Sequence, residues 1–146
     1  MKQIVDFLKT ITPPRIVREA MTLYGTTEVK GSKSNPIILN WAKETLSKDD
    51  NWYSDDSIPW CGLFIGVVAH RAEWELPKEH LRALAWANFG IKVPNNDAVL
   101  GDVLVFSRKG GGHVGLYVAE DKDNFYVLGG NQDDKVNIAK IAKNRL

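Results

Sequence analysis

The chain has 146 residues, a formal net charge of +1 at neutral pH, 44% hydrophobic residues and 25% charged residues. This length and composition predict one globular domain over residues 1–146, with 1–14 as a possible N-terminal extension. The nearly balanced charge provides no broad positive field for nucleic acid, and a single cysteine excludes an intramolecular disulfide.

Membrane and targeting signals are weak in the sequence. No apolar run approaches the roughly 18 residues of a membrane span, so we expect no membrane insertion. The first nine residues contain Asp6 within their apolar section and lack a small-residue cleavage site. We therefore expect synthesis in the cytoplasm, and any action outside the cell then requires release or delivery.

Histidine and cysteine spacing gives no metal signal. The three histidines, His70, His80 and His113, are scattered, and no Cys/His cluster has the spacing of zinc ligands. We expect no metal, no cofactor and a monomer.

The first two thirds of the chain predicts helices. Residues 1–10 read either as a short amphipathic helix or as a frayed terminus. Apolar residues at helical spacing then predict helices over 15–24, 36–46, 61–73 and 79–88. Pro36 and Pro59 suit helix starts, because the first turn of a helix needs no N–H at that position.

The last third changes to a period of two and is rich in β-branched residues. We predict strands over 102–107, 113–120, 125–129 and 136–142, joined by turns that contain glycine, aspartate or asparagine. Helices followed by an antiparallel meander indicate an α+β fold with segregated halves.

Cys61 lies where the third of these helices is predicted to begin, two residues after Pro59. The first turn of a helix presents backbone N–H groups and the positive end of the helix dipole, which favour an anion. Such a site lowers the pKa of a thiol from its usual value of about 8.5 and makes it nucleophilic. The alternative is that Cys61 is a small buried hydrophobic residue.

His113 is the candidate base. It opens a predicted strand directly after three glycines, where its imidazole can face a neighbouring element. If the Cys61 helix packs on the sheet, the thiol and the imidazole form a nucleophile and base pair. The alternative is an ordinary hairpin residue.

A third group should orient the imidazole through its other ring nitrogen. The far end of the following strand returns toward His113, and Asn131 lies there beside two glycines. We predict Asn131 for this role, with Asp133 and Asp134 as charged alternatives. Asn131 would otherwise be a turn residue in left-handed backbone conformation.

Four aromatic residues are candidates for substrate binding. Trp52 and Tyr53 lie in a polar stretch just before Cys61, Trp60 adjoins it, and Trp86 lies in the next helical segment. Packing in the core is the alternative for each ring.

These motifs together resemble the NlpC-like cell-wall hydrolases and their CHAP (cysteine, histidine-dependent amidohydrolase/peptidase) relatives. The resemblance rests on 59–61, 101–106, 112–115 and 128–132, which occur in the same order. A small branch, often encoded by phages or prophages, also has a helix end like that of Ala20–Gly25 with Glu28, followed by an Asn–Pro pair, here Asn35–Pro36. The similarity covers about residues 15–142.

The resemblance implies a papain-like α+β fold and hydrolysis of an amide bond in the peptide stem or cross-bridge of peptidoglycan. By position, Cys61 is the nucleophile, His113 the base and later the acid, and Asn131 the orienting group. Two departures stand out: Trp60 and Gly62 flank the cysteine in place of Ser or Asp, and Gly129 replaces a glutamate found in many CHAP enzymes. The identity of the cleaved bond is not carried over.

Two other functions compete with this expectation. The protein could be a non-catalytic wall-binding or phage structural component, for which a thiol and imidazole pair is unnecessary. It could instead be a cysteine hydrolase, such as a deamidase, that acts on a protein amide.

Overall fold

The helices come first along the chain and the strands follow, in an α+β arrangement. The computed structural model describes residues 1–29, 34–45, 59–108 and 111–146. Its α-helices are α1 (Lys2–Thr10), α2 (Arg15–Thr22), α3 (Pro36–Thr45) and α4 (Cys61–Arg71). Short 3₁₀ segments occupy Ala83–Asn88, Asn95–Asp97 and Lys143–Arg145. The predicted α+β class is confirmed, and the predicted 79–88 helix is in fact the shorter 3₁₀ segment.

Helix α4 is the central helix of the described fold. Every residue from Cys61 to Ala69 is buried, so the helix is apolar on all sides, as expected for an element surrounded by others. It packs against α2, α3 and the sheet. At its C-terminal end the two oxygens of Glu44 accept hydrogen bonds of 3.1 and 3.0 Å from Arg71, which raises the pKa of Arg71.

Within the described residues the sheet has four antiparallel strands in the order β1-β2-β3-β4, so each strand pairs with its neighbour in sequence. The strands are β1 (Val103–Arg108), β2 (Gly111–Glu120), β3 (Asn124–Gln132) and β4 (Lys135–Ala142). Strand β3 extends three residues beyond its predicted end, to Gln132. Its register with β4 shifts between Gly129 and Gln132, which marks an irregularity next to the β3–β4 turn.

The two faces of the sheet have different neighbours. Residues Val114, Leu116 and Val118 of β2 lie in the main core with the four helices. Phe106, Phe125 and Val127 belong to a second, smaller apolar cluster on the opposite face. The chain thus uses both faces of the sheet, because alternate residues of a strand point to opposite sides.

The N-terminal helix is part of this fold. Leu8 of α1 is buried and belongs to the main core, together with residues of α2, α3, α4 and the sheet. The segment 1–14 therefore contributes to the packed structure.

Candidate functional site

Cys61 is the first residue of α4 and is only 4% exposed. The helix begins here because Trp60 leaves helical geometry at φ −127° and ψ 19°, while its carbonyl accepts the first helical hydrogen bond from Phe64. Position 62 requires glycine, because a Cβ atom there would lie 2.6 Å from the carbonyl oxygens of both His80 and Leu81. The thiol therefore lies in the first turn of a helix, next to tightly packed backbone.

The indole of Trp60 is fully buried, with 0% exposure. Its Nε1–H donates a 3.0 Å hydrogen bond to Oε1 of Glu28, and its ring packs against Trp41 with the ring centroids 6.0 Å apart. We expected Trp60 to line a substrate groove. The structure instead places it in the core, where its contacts fix the residue that precedes Cys61.

Glu28 reaches Trp60 because residues 25–28 run beside the start of β4. The Glu28 N–H donates to the carbonyl of Asp134 at 2.9 Å, and Thr27 forms an isolated antiparallel bridge with Lys135. Backbone pairing thus brings one carboxylate to the beginning of α4. In the sequence, Glu28 stands out only through the resemblance to the small phage-type branch, and no local pattern predicts its contact with Trp60.

Gly130 is where the start of α4 meets the sheet. A Cβ atom at Gly130 would lie 2.5 Å from Cβ of Phe64 and 2.9 Å from the ring of Trp60. Only glycine permits this approach, because such distances are far below van der Waals contact. The end of β3 therefore lies directly against the first turn of the helix that carries Cys61.

His113 lies near the start of β2 and is 3% exposed. Its cross-strand partner is Phe106, and the two ring centroids are 6.3 Å apart. The imidazole thus shares the face of the second apolar cluster, whereas α4 packs on the other face. Strand β3 lies against the start of α4 at Gly130 and supplies Gln132, two residues further on, to the imidazole of His113.

The hydrogen-bond partner of the imidazole is Gln132. Nε2 of His113 lies 2.9 Å from Oε1 of Gln132. The Gln132 amide nitrogen donates to the carbonyl of Val127 at 3.0 Å, and to the carbonyl and Oδ1 of Asn137 at 2.9 and 3.0 Å. Three acceptors around the NH₂ group identify it as the donor end, so its oxygen faces His113.

This network determines where the imidazole carries its proton. An amide oxygen only accepts, so Nε2 of His113 must be the protonated nitrogen. In the neutral ring Nδ1 is then the basic nitrogen, and it is fully buried. A histidine held in one tautomer with Nδ1 basic can accept a proton from a thiol.

Asn131, the predicted orienting group, has a different place. Its backbone is left-handed, at φ +55°, in the irregular end of β3. The hydrogen bond to His113 comes from Gln132, one residue further on, and Asn131 lies beside the nearby cavity. The charged alternatives Asp133 and Asp134 also have left-handed backbone, in the turn to β4.

A small cavity of about 230 Å³ opens beside His113 and Gln132. Its polar lining includes Asn131, Asp133 and Asn137. Ala139 and Ile141 of β4 and Arg145 of the last 3₁₀ segment complete the wall. The cavity therefore combines amides, one cationic group and an apolar floor.

A larger cleft of about 550 Å³ runs along β1, the edge strand of the sheet. Trp86, a predicted substrate-binding residue, contributes to its wall but is only 2% exposed, and its Nε1–H donates to the carbonyl of His80 at 2.9 Å. Most of this ring therefore packs in the core, and its part in substrate binding stays a prediction. The other two candidates, Trp52 and Tyr53, lie outside the described residues.

His80 is a buried residue that sequence reasoning did not single out. Its ring lies over Gly66, where an added Cβ would come within 2.5 Å of Cδ2, and Nε2 lies 3.0 Å from the hydroxyl of Thr45. The signal in the sequence was the pair Gly62 and Gly66, four residues apart on one face of α4. That spacing marks where another segment crosses the helix closely.

The described part of the chain contains neither a metal-binding cluster nor a membrane-spanning helix. Within 1–29, 34–45, 59–108 and 111–146, no group of three or more His, Cys, Asp or Glu side chains is arranged to hold a metal ion. None of the helices in these ranges has the length and apolar character needed to span a membrane.

Comparisons with known proteins found no matching family model, no matching curated protein and no matching solved structure.

Proposed function

We propose that this protein is a cysteine peptidase or amidase that hydrolyses an amide bond in the peptide stem or cross-bridge of peptidoglycan. We further propose that its α+β fold is papain-like, of the NlpC-like/CHAP type, and that it reaches the wall as a phage- or prophage-encoded lysin or a delivered effector. The observation that carries the proposal is the contact between His113 and Gln132, at the end of the sheet that lies against the start of α4.

The chemistry begins with the thiol. Nδ1 of His113 accepts the proton of Cys61, and the thiolate attacks the carbonyl carbon of the scissile amide. Backbone N–H groups at the start of α4, including that of Cys61, stabilise the oxyanion of the tetrahedral intermediate.

The second half of the reaction returns the proton. The imidazolium of His113 protonates the leaving amine, and the C–N bond breaks to leave a thioester on Cys61. His113 then takes a proton from water as the hydroxide attacks the thioester, the C–S bond breaks to release the carboxylic acid, and the imidazolium returns its proton to the thiolate of Cys61. Gln132 holds the ring through both steps as a neutral partner, and adds no negative charge beside the imidazolium.

Purified peptidoglycan provides the test. We expect the wild-type protein to reduce the turbidity of a sacculus suspension and the Cys61→Ala variant to lose this activity while it remains folded. Mass spectrometry of the released fragments will show which amide was cleaved from its new amine and carboxyl termini.

Two results would contradict the proposal. Equal clearing by the wild type and by Cys61→Ala would remove the thiol from the mechanism. No clearing by either protein, across walls of several peptide chemistries, would favour a binding or structural component, which co-sedimentation with the sacculi would detect.

A further inference from the structure

We propose that Arg145 binds a free carboxylate of the substrate in the small cavity beside His113. The inference rests on the proposed function and deepens it, because it assigns a chemical group to one side of the scissile bond. It concerns the cavity lined by His113, Gln132, Asn137 and Arg145.

The size of the cavity limits what it holds. Its volume of about 230 Å³ is below the roughly 300–1,000 Å³ of sites that enclose a whole small molecule. A single residue of a longer substrate fits this description better than a complete ligand. Ala139 and Ile141 supply an apolar surface for its hydrocarbon part.

The charge of Arg145 is available for a ligand. The ion pairs found among the described residues use Arg15, Arg71 and Lys143, and none of them includes Arg145. Its guanidinium group presents several N–H donors in a fixed plane that matches a carboxylate. Lys143, two residues earlier, is already paired with Glu120 at 2.8 Å.

The position of His113 indicates which part of the substrate enters. In the proposed reaction His113 gives its proton to the leaving amine, so the amine side of the scissile bond lies beside the imidazole. The cavity shares His113 as a wall, and we place the residue on the amine side of the bond in it. We therefore assign the carboxylate to the fragment that is released with the new amine. It is either the C-terminal carboxylate of that fragment or one of its side-chain carboxylates.

Among the described residues, Asp133 is the only acidic one in the cavity wall, and it is exposed. A carboxylate bound by Arg145 is repelled by Asp133, so removal of this charge strengthens binding or leaves it unchanged. For a negatively charged ligand we therefore expect opposite effects: loss of Arg145 weakens binding, and loss of the Asp133 charge does not.

The experiment measures binding of soluble muropeptides to the Cys61→Ala protein by calorimetry. One sample carries free carboxylates, and a second has been converted to carboxamides with carbodiimide and ammonia. We expect Arg145→Ala to weaken binding of the free acids on the order of tenfold and to leave binding of the carboxamides unchanged. Asp133→Asn should not weaken binding of the acids, and Arg145→Lys should retain part of it.

In the active protein the same Arg145→Ala change should raise KM for the free acids with little change in kcat, because the contact does not involve the reacting atoms. Equal effects on acids and carboxamides, or no binding of either form, would overturn the assignment. Failure of the proposed function is seen in a different measurement. A wild-type protein that cleaves no peptidoglycan is not a hydrolase, whichever of the two muropeptide samples it binds more tightly.

Discussion

The side-chain oxygen of Gln132 lies 2.9 Å from Nε2 of His113, while the nitrogen of the same amide donates to the carbonyls of Val127 and Asn137. The backbone of β3 and β4 thus determines which end of the amide faces the imidazole. An amide in this position fixes one tautomer of the ring without a charged partner. The geometry makes Gln132 a positioning residue for His113.

Loss of this contact should reduce activity strongly. Gln132→Ala removes the acceptor for Nε2–H, so the ring can rotate and change tautomer. In serine proteases a change that imposes the wrong tautomer lowers kcat by about 10⁴, and we expect at least a hundredfold loss here. Initial rates of peptidoglycan hydrolysis, measured at equal folded fraction, would show it.

Asn131→Gly is the matched control for that variant. Glycine adopts φ +55° without cost, so we expect the melting temperature to stay near that of the wild type and the hydrolysis rate to fall far less than in Gln132→Ala. A large loss of activity in Asn131→Gly, with Gln132→Ala active, would return the orienting role to Asn131.

The reactivity of Cys61 should depend on His113. We expect iodoacetamide to alkylate the wild-type thiol with an apparent pKa below the usual value of about 8.5, and His113→Ala to move that apparent pKa upward. The measurement is the alkylation rate against pH, followed by mass spectrometry. Unchanged pH profiles in His113→Ala would show that imidazole and thiol are not coupled.

The contact between Glu28 and Trp60 should stabilise the start of α4. Glu28→Ala leaves the indole N–H buried without its acceptor, which typically costs about 1–3 kcal/mol. Glu28→Gln keeps an oxygen acceptor, so we expect a smaller loss. Urea unfolding curves of the two variants would separate these outcomes, and equal stabilities would show that the hydrogen bond is unimportant.

Gly66 and His80 should be energetically coupled. Gly66→Ala places a methyl group 2.5 Å from Cδ2 of His80, and such overpacking typically costs about 1–3 kcal/mol. In a His80→Ala background the same methyl group enters vacated space, so the cost should fall. A double-mutant cycle measures this difference, and additive effects would contradict the close packing.

Asp121 should contribute a pH-dependent part of the stability. Its carboxylate accepts from the Tyr126 hydroxyl and from the backbone N–H groups of Asp123 and Asn124, which lower the pKa of Asp121 to about 2. Because the folded pKa lies below the unfolded value, this contribution is present above about pH 4 and is lost as the pH falls toward 2.

Asp121→Asn removes the titrating group and therefore tests the direction of this effect. Its stability difference from the wild type should be largest near pH 5 and should shrink toward pH 2. Chemical unfolding at several pH values measures it. A difference that is constant over that range would show that the turn carboxylate has no part in acid sensitivity.

Much of the architecture follows from local sequence patterns. Pro59 before an apolar run predicts the start of α4 at Cys61, and the period-two pattern after residue 102 predicts four strands close to their observed positions. These signals are local: helix starts depend on a few neighbouring residues, and side-chain alternation depends on the strand itself. The candidate thiol and imidazole could be named for the same reason.

That Gln132, and not Asn131 or one of the two aspartates, contacts His113 was decided by the tertiary structure. Adjacent residues of a strand point to opposite faces, and the left-handed backbone at Asn131 and the shifted register before Gln132 change which side chain reaches His113. The burial of Trp60 depended likewise on distant partners, namely Glu28 and Gly130. The sequence alone determined which residues could do chemistry, and only the packing of separate segments decided which of them meet, because contact depends on distances that no local pattern contains.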